Sequence, residues 1–103
     1  MNANEKEPFL HSLQASSPER KIHILALIIK ELSFSMRSKL SENLSLSDAA
    51  REIEAINKIA GYISLLSGEN SLDEEYFLMD MTWCSLEYLS PSRATHVISL
   101  AGV

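Results

Sequence analysis

No glycine or proline interrupts the 42 residues between Pro18 and Gly61. Proteins built from strands turn often and use those two residues to do so. With three glycines and three prolines in 103 residues, this chain has few breaks and must build long elements. Apolar residues recur at spacings of three and four, which is the helical period. The expected fold class is all-α.

The few prolines sit where helices begin. Residues 17–27 read SPERKIHILAL and residues 90–100 read SPSRATHVISL. In each, a serine suited to capping precedes a proline at the first helical position, where the missing N–H costs nothing. Arginine and histidine recur at matching offsets, but the residues between them differ. Repeated capping chemistry therefore explains the likeness better than a duplicated functional site.

The first long helix is expected from Ser17 to about Leu40, with Ile22, Leu25, Ile29, Leu32, Met36 and Leu40 on its core face. SLSD (45–48) has the pattern of a capping box and opens the second. Its expected core face is Ala49, Ile53, Ile56, Ala60 and Ile63, widened by Ile59 and Leu66. Glu54 and Lys58 form a favourable i,i+4 pair outside. Gly68 fits a left-handed residue closing this helix. SLDE (71–74) caps a third, running to about Tyr88 with Leu72, Tyr76, Met79, Trp83 and Leu86 inward. A short helix spans Pro91 to Leu100. Upstream, Phe9, Leu10 and Leu13 mark a short docked helix within a flexible segment 1–16. Residues 17–103 are expected to form one domain, a small antiparallel bundle of three long helices flanked by short ones.

Net charge is -5 and the pI about 5.1, which disfavours nucleic acid and anionic membranes as partners. The single cysteine, Cys84, cannot form an internal disulfide and favours a reducing compartment. MNANEKEPF lacks the pattern of a secretory signal, and the longest apolar run, Ile24 to Ile29, is far too short to span a bilayer. A cytoplasmic protein of bacterial character is expected.

Residues seven apart share one helical face. His23, Lys30 and Arg37 form a basic or titratable row on the first long helix. Asp73, Asp80 and Glu87 form an acidic row on the third. Beyond each row lies a second apolar stripe: Leu27 and Phe34 on the first helix, and Phe77, Met81, Cys84 and Tyr88 on the third. A helix with two apolar stripes touches something on two sides. The rows are expected to pair, within the chain or across a homodimer, for example Lys30 with Asp80. The interface candidates are Leu27, Lys30, Phe34, Arg37, Phe77, Asp80, Cys84 and Tyr88. Asn57 flanks the core face of the middle helix, where a buried amide can set register between partners.

Catalytic chemistry finds little support. Cys84 lies beside acids, which oppose a thiolate, and reads as a small buried core residue. His11, His23 and His96 lack metal-ligand spacing, and no glycine-rich phosphate loop occurs, so neither metal nor cofactor is expected. LSLSDAAREI resembles the first helix of a helix-turn-helix unit, but Glu54 stands where the turn glycine belongs, and the apolar period continues to Ile63.

KELSFSMRSKL, REIEAINKIAGYISLL and LDEEYFLMDM together resemble a loose group of short bacterial all-α proteins. Those carry an ELT…R helix, an INEI-type helix and an acidic turn before an apolar helix. The matching positions are Glu31, Leu32, Arg37, Ile56, Asn57, Ile59, Tyr76 and Phe77, within residues 30–81. Lys58 replaces the group's usual glutamate, and Ala60-Gly61 replaces a His-Arg pair. The resemblance implies the all-α fold and lends no activity.

The leading expectation is a small non-enzymatic helical module acting through protein contact as a homodimer, as a regulator, inhibitor or accessory protein. A DNA-associated regulator is second and a cysteine-dependent enzyme third.

Overall fold

The computed structural model describes residues 3–42, 45–68 and 75–102. Within them lie five α-helices and no strand: α1 (Lys6–Ala15), α2 (Pro18–Ser41), α3 (Ala50–Ser67), α4 (Glu75–Ser85) and α5 (Pro91–Leu100). Short 3-10 turns lead into α1 and α3, and another, Leu86–Tyr88, follows α4. The all-α class is as expected. Of the three expected long helices, α2 and α3 have 24 and 18 residues, whereas α4 spans 11. The expected cap at 71–74, with Leu72 and Asp73, lies outside the described residues.

Two of the expected caps form as their chemistry requires, whereas the Ser90 side chain makes no capping hydrogen bond and Pro91 alone marks the start of α5. Ser17 accepts a hydrogen bond from the Arg20 amide at 3.2 Å, and Pro18 takes the first turn. Asp48 accepts from the backbone N–H of Ser45 at 2.8 Å and also from its hydroxyl. Those bonds hold the Asp48 carboxyl below its ordinary pKa. Gly68 corrects one expectation: its φ of -92° and ψ of 172° are extended, not left-handed. The left-handed glycine is Gly102 at φ 86°, just past α5.

The long axis of the molecule, 41 Å, reflects α2, since 24 residues at 1.5 Å each reach ~36 Å. α2 packs along α3 and receives α5, while α1 lies on α4. Phe9, Leu10 and Leu13 join the common core, with the Phe9 and Trp83 rings 5.3 Å apart. The other end of the chain is pinned to the same corner. Arg20 donates to the Leu100 carbonyl at 3.0 Å, and the Ser12 hydroxyl donates to that of Ala101.

Both long helices bury part of their expected faces, with Leu25 and Leu32 on α2 and Ile59 on α3 fully buried, but each is turned so that other residues join them. α2 buries Lys21, Ile24, Leu25, Ile28 and Leu32, while Leu40 is exposed and Ile22, Ile29 and Met36 are half-buried. α3 buries Glu52, Ala55, Ile59 and Tyr62 and leaves Ala60 exposed. On α2 the sequence leaves the choice of face open. ILALII is apolar nearly all round, so two overlapping series fit the helical period. Neighbouring charges select the series that carries polar residues. Lys21 donates to Glu75 at 2.5 Å, and the Tyr62 hydroxyl donates to the same carboxylate oxygen at 3.0 Å. Lys39 binds one oxygen of the fully buried Glu52, whose other oxygen meets no hydrogen-bond donor. These charges enter the core because each has a partner there. Tyr76, expected inward, is 63% exposed.

Candidate interaction surfaces

Two outer surfaces collect most of the candidate residues. The first is a groove of about 300 Å³ between α3 and α4. Its α4 side carries Phe77, Met81, Cys84 and Tyr88, the stripe expected at helical spacing. Its α3 side carries Arg51, Glu54, Ala55 and Lys58. Phe77 is 65% exposed and lies next in sequence to the exposed Tyr76.

The groove wall holds two bases, Arg51 and Lys58, and one acid, Glu54, and the charges of Asp80, Lys6 and Glu87 beside Cys84 bring the surroundings near balance. Glu54 and Lys58 pair at 2.9 Å, which lowers the Glu54 pKa. Lys6 reaches across from α1 to Asp80 at 2.6 Å, and that hydrogen bond raises the Lys6 pKa. Arg51 and Glu87 remain as one exposed charge of each sign.

Cys84 corrects an expectation, because it is exposed in the groove wall instead of buried in the core. α4 is short and its inward positions go to Met79, Thr82 and Trp83, which turns Cys84 outward. Partial desolvation and the charge of Asp80 push its thiol pKa up, against a smaller opposing effect of Lys6. A raised pKa keeps the sulfur protonated and weakly nucleophilic. No histidine lines the groove.

The second surface is a ridge. Phe34 stands on α2, 61% exposed, with hollows of about 340 and 220 Å³ beside it. Lys30 and Arg37 flank it on α2, and Arg93 approaches from the first turn of α5. Arg93 lies 3.7 Å from Glu31, beyond a normal hydrogen bond. Lys30 and Arg37 are exposed and make no ion pair among the described residues. The two surfaces flank the 3-10 turn after α4: Ser35, in the wall of one hollow, donates to the Tyr88 carbonyl at 3.4 Å.

Among the described residues the rows do not pair with each other. Asp80 is engaged by Lys6 and not by Lys30, while His23 and Glu87 face solvent and Asp73 lies outside the described residues. Leu27 is half-buried and lines neither surface. Asn57 is exposed, so its amide is not a buried register-setter of this chain's core. α3 continues as one helix through Glu54, without the turn a helix-turn-helix needs. No group of metal-ligating side chains occurs among the described residues, and none of their helices is long and apolar enough to cross a membrane.

Three contributors escape sequence reasoning: Lys6, Glu31 and Arg93. Arg93 carried a weak signal, as it occupies the same offset from its Ser-Pro as Arg20 does. Compared with known protein families, curated proteins and solved structures, the chain matches none.

Proposed function

We propose that the chain is a small antiparallel helical bundle that acts through protein contact, pairing with a second copy through the α3–α4 groove. Its role is regulatory, inhibitory or accessory, in a reducing compartment such as the bacterial cytoplasm, where Cys84 stays a thiol. The observation that carries this reading is Phe77, left largely in water at the mouth of an apolar groove. Fully burying such a side chain contributes ~1.5–3 kcal/mol, and a two-fold interface gains it twice.

Charge supports a second copy as the occupant. A two-fold interface sets one patch against itself, so a patch with net charge repels its twin. The near-balance of Glu54 with Lys58, Lys6 with Asp80, and Arg51 with Glu87 avoids that penalty. Sedimentation equilibrium over a range of concentrations tests the proposal. A dimer that dissociates on Phe77→Glu supports it, and a monomer at every concentration refutes it.

A further inference from the structure

We propose that the Phe34 ridge docks a short acidic segment of a different protein, one that presents carboxylates on both sides of an apolar residue. The inference stands apart from self-association through the α3–α4 groove, because it uses other residues and another chemistry. Lys30, Arg37 and Arg93 set three bases against one acid, Glu31, around an exposed aromatic ring. That local excess of positive charge sits on a chain of net charge -5. Two of the bases make no ion pair among the described residues, and the third has only a long contact. Carboxylates placed over Lys30 and Arg37 gain charge-assisted hydrogen bonds, while an apolar residue between them fills a hollow beside Phe34.

The charge also selects the occupant. A second copy presenting this same ridge opposes like charges and is repelled. A nucleic acid needs many cations to release its counterions, and this ridge offers three with an acid among them. A short acidic peptide matches the number of free cations and uses the ring as well.

The test is fluorescence anisotropy on the full chain. The probe is a fluorescein-labelled peptide of aspartates and glutamates around one phenylalanine. The expected result is binding that weakens with salt. A Lys30→Glu, Arg37→Glu double variant should bind at least tenfold more weakly, and Phe34→Ser should weaken binding too. These side chains are exposed, and an unchanged melting temperature confirms that each variant is folded. Phe77→Glu should bind the peptide as the parent does, even where it has lost self-association, so failure of either proposal is seen separately. Three results would overturn the inference: no binding of the peptide by the parent, equal binding of a version with amides for acids, or tighter binding of a single-stranded oligonucleotide of equal charge.

Discussion

The α3–α4 groove and the Phe34 ridge lie on either side of one short turn, and each exposes a phenylalanine to a similar degree. They differ in charge. Around Phe77 most cations have an anion, whereas around Phe34 two cations have none among the described residues. Exposed apolar area alone says that something binds. The surrounding charge says what kind of thing: a neutralised patch tolerates its own copy, and an unneutralised one requires an unlike partner. Under the two proposals, the two stripes of the sequence go to two partners instead of to each other.

The largest expected effect would break that assignment at once. Phe77→Glu removes the aromatic anchor from both sides of a two-fold interface, a loss of about 3–6 kcal/mol. Self-association should weaken by more than about a hundredfold in sedimentation equilibrium. Phe34→Ser should leave it within about threefold, because a ridge outside the interface adds little. If Phe34→Ser dissociates the dimer as strongly, both surfaces belong to one interface and the distinction fails.

The next effect concerns the scaffold that holds the surfaces apart. Lys39 neutralises Glu52, which is fully buried, while Lys39 itself is partly in solvent. Lys39→Met strands a carboxylate in the core and should destabilise the fold by roughly 3 kcal/mol in urea unfolding. Glu52→Leu leaves only a lysine free to reach water, so it should cost less. The Lys39→Met, Glu52→Leu pair should recover much of the loss. A larger cost for Glu52→Leu would show that the carboxylate contributes through something other than Lys39.

That buried pair also explains how far the sequence was legible. Helix ends could be read because capping is local: Ser17, Pro18, Ser45, Asp48 and Pro91 act within one turn. The stripe could be read because Phe77, Met81 and Cys84 lie on one short helix and Tyr88 on the 3-10 turn that continues it. The inward faces of α2 and α3 could be read only in part: Leu25, Leu32 and Ile59 are buried as expected, but the charged members are not foreseen. Lys21, Lys39 and Glu52 look like solvent residues until Glu75 and a distant turn of helix supply their partners. The partner of Asp80 was misjudged for the same reason, as Lys6 lies far off in sequence and only the packing of α1 on α4 brings it near.

Cys84 offers a gentler test of the comparison. It lies in the groove and away from the ridge, so self-association should cover it and peptide binding should not. Alkylation by iodoacetamide near neutral pH should be slower than for an unhindered thiol, since the raised pKa leaves less thiolate. The rate should fall severalfold further as protein concentration rises, and should not fall when acidic peptide is added. Protection by the peptide would place both partners on the groove.

The smallest effect is a change of slope with pH at the far end of α2. The Tyr62 hydroxyl is held neutral by burial and by its hydrogen bond to Glu75, so its pKa lies above the ordinary tyrosine value. A pKa raised in the folded state means that the unfolded chain releases this proton first as pH rises. The stability it contributes is complete below about pH 10, the unfolded value, and is lost above it. Tyr62→Phe removes the titration, so its stability should decline less steeply than the parent's above about pH 10 in thermal melts. Equal slopes would mean that Tyr62 ionises as easily folded as unfolded, and that the Glu75 contact holds Lys21 alone. Self-association measured in the same buffers should follow the parent's course in Tyr62→Phe, because this corner of the core lines neither the groove nor the ridge.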